Sequence, residues 1–158
     1  MKTNVMRRLD QAKIPYADFE YDTSEGITQG TRLCDKEGRE RARSYKTLVT
    51  RGTELHVFVV PADHQLDLKK AARAAGEKKI EMIQQKELKP LTGYIHGGCS
   101  PIGMKKAYST WIDASAEDLP FMAVSGGQIG VQVEIEPKAL SAFIDAPFAD
   151  LTVEDTEE

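Results

Sequence analysis

The chain is poor in the residues that build covalent or metallic frameworks. Of 158 residues, two are cysteine (Cys34 and Cys99) and three are histidine (His56, His64 and His96). None has the spacing of a zinc site or a redox pair, so no metal and no cofactor are expected. Unpaired cysteines suit a reducing compartment, and a cytoplasmic location is expected. No apolar run is long enough to cross a bilayer. The N-terminal MKTNVMRRLDQAK lacks the apolar stretch of a signal peptide, so neither a membrane partner nor secretion is expected. There is no GxSxG elbow, no internal repeat and no linker. Positive charge is also in deficit. The formal net charge is −4, which argues against a general nucleic-acid coat protein and against DNA as a partner. Any polyanion must be met by local patches, of which Lys69-Lys70 with Arg73, Lys78-Lys79 and Lys105-Lys106 are the candidates. Each reads equally as a solvated face.

What the chain does have is one dense stretch, Gly93–Lys106, GYIHGGCSPIGMKK. Paired glycines let a ligand approach the main chain, and Pro101 restricts both its own φ and the conformation of Ser100. A stiffened glycine loop followed by two cations suits an anionic, oxygen-rich ligand, and it also reads as a plain turn. Gly98 and Gly103 have the separation of a phosphate-binding loop. Met104 precedes Lys105, no Ser or Thr follows, and Pro101 removes a cradling N–H, so the nucleotide motif fails at its chemically necessary positions.

Hydrophobic residues make up 41% of the chain, enough for an ordinary core in a single domain. Thr3 is placed to cap a helix with Val5, Met6, Leu9 and Ala12 on one stripe, ended by Pro15. Residues 16–21 read as a strand with Phe19 and Tyr21 on one face. The polar stretch 26–44 reads as a short helix near 28–36 and a loop, either a lid or plain surface. YKTLVT at 45–50, a turn at Arg51-Gly52 and a second strand from Leu55 to Val60 form a hairpin. Leu48 is expected to face the core, which puts Lys46 on the core side at the open end, lining a cleft or snorkelling. Asp67 opens a helix with Leu68, Ala71, Ala72 and Ala75 inward and Gly76 as C-cap. A short strand or helix start follows at 79–83, then a helical segment at 84–91. Strands are expected at 107–113, 119–124 and 129–135, and a last helix begins at Pro137 with Leu140, Phe143 and Ile144 inward. The acidic end is expected to be disordered. The pattern is α+β: one curved, mixed, mostly antiparallel sheet flanked by helices.

The chemistry on offer is sparse. Cys99 is a candidate nucleophile with only His96 nearby in sequence. Otherwise there is a positive charge at Lys46 and free amides expected at Gly97-Gly98 and Ser125-Gly126-Gly127. Such groups polarise a carbonyl and stabilise an oxyanion but supply no strong base.

YKTLV around Lys46, GGCSPIGMKK at 97–106 and SGG at 125–127 together resemble the YbaK/EbsC family. QLDLKKAARAAGEKKIEM at 65–82, WIDAS at 111–115 and FAD at 148–150 fit the same pattern. The likeness covers residues 1–150 and leaves 151–158 as an acidic tail. It implies the fold of the editing domain associated with prolyl-tRNA synthetase, and a trans-editing aminoacyl-tRNA deacylase that most typically removes cysteine from tRNA-Pro. It further implies Lys46 as the essential side chain, a Gly97-Gly98-Cys99-Ser100-Pro101 loop that binds substrate through its backbone, and Tyr21, Ser125, Gly126 and Gly127 lining the site. The implied cleavage is substrate-assisted, the cysteinyl thiol attacking its own ester. The implied partners are the aminoacyl-tRNA 3′ end and a prolyl-tRNA synthetase. A non-catalytic module binding tRNA or a synthetase, and a deacylase for another amino acid such as alanine, stand as alternatives. Two departures bear on specificity: Gly130-Val131-Gln132 stands where the family has Gly-Leu-Asp, and 26–44 lacks the family's apolar helix pattern.

Overall fold

The structure is a computed structural model and describes residues 2–20 and 42–154. The Thr3 hydroxyl accepts the Met6 amide at 3.2 Å and so opens α1 (Asn4–Gln11). Val5, Met6 and Leu9 form its buried stripe, while Ala12, expected on it, is exposed. The helix stops short of Pro15, because Lys13 turns left-handed at φ 60°. Strand β1 (Ala17–Glu20) follows. Tyr21 and the helix expected near 28–36 lie outside the described residues.

The hairpin of β2 (Arg43–Arg51) and β3 (Leu55–Pro61) forms as expected, with Lys46 opposite Val60 and Leu48 opposite Phe58. Asp67 caps α2 (Leu68–Ala75) by accepting the Lys69 and Lys70 amides at 2.9 and 3.1 Å, and Gly76 closes it at φ 71°. The docking face of α2 is its alanine face. Ala71 and Ala72 are buried, whereas Leu68, expected inward, is 40% exposed at the first helical position. Then come β4 (Glu81–Met82), α3 (Leu88–Thr92), β5 (Ser109–Asp113), β6 (Met122–Ser125), β7 (Val131–Ile135), α4 (Pro137–Ile144) and β8 (Phe148–Ala149).

Among the described residues these strands form one mixed sheet of order β1-β7-β6-β2-β3-β5-β8, with β4 paired to β2. Four pairings are antiparallel (β1–β7, β2–β3, β2–β4, β6–β7) and three are parallel (β2–β6, β3–β5, β5–β8). Each face of β2 meets its own core. Tyr45 and Val49 are both buried, and Tyr45 packs with Val5, Met6, Leu9, Met122, Val124, Val133, Ile135 and Leu140. On the opposite face Leu48 joins Phe58, Val60, Ala71, Ala72, Ile80 and Leu151 beneath α2. Alternation along one strand therefore feeds two layers of helix.

The C-terminal segment packs against the domain through Val153. The buried Asp113 carboxylate accepts the Leu151 amide at 2.9 Å and the Ser115 amide at 3.1 Å, Leu151 is fully buried, and Thr152 bridges to Leu66. The order seen at 151–153 comes from one apolar side chain and one buried carboxylate acting on an otherwise acidic end. Among the described residues no helix is long and apolar enough to cross a membrane.

A second carboxylate ties the β2–β3 turn to the end of α2. Glu77 accepts from the Thr53 amide and hydroxyl, from the Glu54 amide, and pairs with His56 Nε2 at 2.7 Å. Gly52 leaves room for it, since a Cβ there would lie 2.5 Å from Glu77 Cδ. The Thr53 amide, ahead of the His56 contact, holds the Glu77 carboxyl at about 2, below its ordinary 4.5. A depressed carboxyl pKa stabilises the fold above the unfolded value, and the contribution is lost as pH falls toward the folded one. Glu77→Gln is therefore expected to melt at lower temperature near pH 6 and to show a flatter decline between pH 4.5 and about 2. Thermal melts across that range check this, and parallel curves for both proteins would contradict it.

Candidate active site

The site begins with a row of half-buried side chains on one face of the sheet. β2 runs parallel to β6, with Arg43 beside Met122 and Ser44 beside Ala123. The ladder ends there, with Lys46 two residues beyond Ser44 on β2 and Ser125 two residues beyond Ala123 on β6. Ser125 pairs with Gln132 across β6–β7, and Gln132 pairs with Phe19 across β7–β1. Cross-strand partners share a face, so Ser44, Lys46, Ser125, Gln132 and Phe19 line up on one side while Val124, Val133 and Ile135 fill the core on the other. The Gln132 amide and Ser44 hydroxyl meet at 3.3 Å. Phe19 is read from the sequence only as sharing a strand face with Tyr21, and Ser44 only as the end of the polar stretch 26–44. The two-residue alternation around Lys46 and Gln132 is the signal that could have found them.

Lys46 makes no hydrogen bond or ion pair within the described residues. Burial lowers its pKa, and the negative charge of Asp63 offsets this only in part. Asp63 is itself engaged by the His64 ring at 2.8 Å and by Arg43 at 3.7 Å. The result is an ammonium group in a partly desolvated position without a direct counter-ion, which strengthens its pull on any anion that reaches it.

The loop from Gly93 to Lys106 is anchored at its far end. Ile102 is a core residue beside α1, and Ser100 and Pro101 are buried. The Ser100 hydroxyl accepts the Ile102 amide at 3.2 Å, so it shapes the loop from within. Gly97 takes φ 90°, a conformation that favours glycine. The expectation of bare glycine amides needs correction. Gly98 N–H donates to the Ile95 carbonyl at 2.9 Å, Gly126 N–H to the Val131 carbonyl at 2.8 Å, and Gly127 N–H to the Ser125 hydroxyl at 3.1 Å. Those three amides close turns. The amides of Gly97, Cys99 and Ser100 have no acceptor among the described residues.

The glycines instead bring two turns into contact. A Cβ on Gly98 would lie 3.0 Å from the Ile129 nitrogen and 3.1 Å from the Gln128 carbonyl carbon. A Cβ on Gly126 would lie 2.7 Å from Val131 Cγ1, inside its own turn. The 97–101 loop therefore rests on the turn that follows Ser125. Ile95 and Ile129, 48% and 49% exposed, give the junction an apolar lip. Among the described residues no cluster of His, Cys, Asp or Glu could hold a metal ion.

The same burial sets the state of Cys99. Desolvation pushes its thiol up to about 12, with a nearby Thr92 hydroxyl bond acting weakly the other way. The thiol is protonated at neutral pH and lacks the low pKa of a reactive cysteine. His56 and His64 are paired with Glu77 and Asp63. In a Cys34→Ser background, Cys99 is therefore expected to react with 5,5′-dithiobis(2-nitrobenzoate) at least about tenfold more slowly in the folded protein than in denaturant at pH 8. Equal rates would contradict this.

A family described as the aminoacyl-tRNA editing domain matches residues 25–143. The chain is 42% identical over 156 residues to the Enterococcus faecalis protein named "Putative Cys-tRNA(Pro)/Cys-tRNA(Cys) deacylase EbsC", covering 98% of this chain and 95% of that one. It superposes with a TM-score of 0.76 and 25% identity on a crystal structure described as "a putative trans-editing enzyme for prolyl tRNA synthetase", over 98% of this chain and 100% of that one. A scaffold protein from epitope backbone grafting by computational design superposes at 0.81 with 24% identity over 96% of both chains, which bears on the fold alone. The chain belongs to the aminoacyl-tRNA editing domain family.

Proposed function

We propose that the protein is a trans-editing deacylase that removes cysteine from mischarged tRNA-Pro, with Lys46 as the residue on which the chemistry turns. The observation that carries this reading is the half-buried Lys46 ammonium, which has no direct counter-ion among the described residues. It lies on the same sheet face as Ser44, whose strand pairs with the strand that ends at Ser125, and the turn after Ser125 supports the 97–101 loop.

In this scheme the ester at the tRNA 3′ end lies between Lys46 and the loop. The amides of Gly97 and Cys99 are the accessible donors left for a substrate carbonyl, with that of Ser100 buried behind them. The cysteinyl sulfur attacks the ester carbon, a C–S bond forms, and the C–O bond to the ribose breaks. The thiol proton goes to the departing ribose oxygen, so tRNA leaves with its hydroxyl restored and the amino acid leaves as a cyclic thioester. The ammonium offsets the negative charge that builds on the carbonyl and ribose oxygens. No protein nucleophile is needed, in keeping with a protonated Cys99. Tyr21 is proposed to line the same site. The location is proposed to be the cytoplasm, and a prolyl-tRNA synthetase is proposed as the partner that presents the tRNA.

Replacing Lys46 separates this role from a structural one. Lys46→Ala is expected to lower single-turnover release of cysteine from Cys-tRNA(Pro) by about 100-fold or more, the usual scale for losing an oxyanion-stabilising group. A buried lysine with a lowered pKa destabilises the fold while protonated, so Lys46→Met is expected to melt no lower than the wild type at pH 7. The wild-type rate, corrected for uncatalysed ester hydrolysis, is expected to fall with rising pH below the ordinary lysine value of 10.5, as the ammonium deprotonates. Full activity in Lys46→Ala would overturn the assignment. tRNA binding without turnover by the wild type would favour a non-catalytic module.

A further inference from the structure

One acid-free, cation-bearing surface is not used by the scheme above. Leu88–Ile112 contains no Asp or Glu, in a chain where the two total 25 residues. It carries Lys89, Lys105 and Lys106, and α1 adds Arg8 to the same edge. The contiguity can be followed atom by atom. Arg8 Nε would lie 3.1 Å from a Cβ on Gly103. Two residues on, the Lys105 stem crosses Gly93, with Cγ 3.5 Å from where a Cβ would be, and its ammonium donates to the Pro90 carbonyl at 3.3 Å. Pro90 follows Lys89 directly, and Lys106 is exposed beside Lys105.

Several exposed cations elsewhere are neutralised. Lys2 pairs with Asp10, Arg51 with Glu87, Lys70 with Asp150 and Lys79 with Glu81. Lys69, Arg73 and Lys78 also lack a carboxylate at ion-pair distance among the described residues but lie away from the 97–101 loop. Arg8, Lys89, Lys105 and Lys106 have no carboxylate at ion-pair distance among the described residues. They sit at the foot of the same loop whose tip, Gly97 to Pro101, rests on the Ser125 turn. With a net charge of −4 a polyanion must be met by a local patch, and a contiguous group of cations at the foot of this loop favours docking here.

We propose that Arg8, Lys89, Lys105 and Lys106 form a ridge that binds the phosphates of the tRNA acceptor stem, so that the single-stranded 3′ end runs over Gly103 into the site. This rests on the deacylase reading. RNA fits better than an acidic protein segment because the ridge lies at the foot of the loop proposed to hold the 3′ end. Cationic side chains that meet phosphates act without regard to sequence and make binding salt-dependent.

The test compares two substrates, full-length Cys-tRNA(Pro) and 3′-cysteinyladenosine, in an Arg8→Gln/Lys105→Gln/Lys106→Gln variant. A Lys69→Gln/Arg73→Gln/Lys78→Gln variant on and just after α2 serves as the charge-matched control, and thermal melts confirm folding. The ridge variant is expected to raise KM for the tRNA about tenfold or more and to lower the salt dependence of binding by about one unit of slope per cation removed, with kcat/KM for the adenosine ester within twofold of wild type. An unchanged KM for tRNA overturns the proposal. So does an equal loss on both substrates, or an equal effect of the α2 control. Loss of synthetase binding with tRNA binding intact assigns the ridge to a protein partner and overturns it too. If the wild type turns over neither substrate, the deacylase reading fails by itself, and the affinity of uncharged tRNA for the two variants still decides the role of the ridge.

Discussion

The parallel pairing of β2 with β6 is the constraint on which the site depends. Only two residue pairs, Arg43 with Met122 and Ser44 with Ala123, define it. It joins the two halves of the sheet, β2–β3 with β4, β5 and β8 on one side and β6–β7 with β1 on the other. Through it the strand that carries the lysine runs beside the strand that leads into the glycine turn. If the pairing slipped by one residue, Lys46 would exchange faces with Tyr45, and the ammonium would enter the core beneath α1. The buried Tyr45, its hydroxyl 2.9 Å from Ser115, and the buried Val124 oppose such a slip.

The glycines of this protein act mainly through space. Gly98, Gly126 and Gly52 each lie where a Cβ would collide with a neighbour, and each permits a contact that fixes a loop. Gly98 lets the 97–101 loop lie against the Gln128–Ile129 backbone, Gly126 lets its turn close on Val131, and Gly52 admits the Glu77 carboxylate. The donors that remain at the loop tip belong to Gly97, Cys99 and Ser100, held by a chain whose next residues, Pro101 and Ile102, are sunk into the core. A rigid foot and a donor-bearing tip give a site whose electrostatics exist before the substrate arrives.

Much of this was legible in the sequence where local chemistry dominates. Thr3, Asp67, Gly76 and Gly93 mark helix ends by their capping chemistry, and the β2–β3 hairpin follows from alternation around Arg51-Gly52. Lys46 was placed on a face shared with Leu48, as found, but that face has its own core under α2 while Tyr45 enters the other. Periodicity within one strand cannot tell which of two helical layers each face meets. The hydrogen bonds of Gly98, Gly126 and Gly127 were likewise hidden, because a glycine pair reads the same whether its amides are open or close a turn. The packing of Leu151 was hidden too, since its anchor Asp113 is distant in sequence and only the fold brings it near.

The central claim, that the acyl end of the substrate lies between Lys46 and the 97–101 loop, is tested most directly by NMR with a non-hydrolysable 3′-aminoacylamido-adenosine. With 15N label in the backbone and in lysine side chains, saturating analogue is expected to shift the Lys46 ammonium together with the Gly97, Cys99 and Ser100 amides, leaving the Gly52–Glu77 turn unmoved. Shifts that avoid both Lys46 and those three amides would contradict the account.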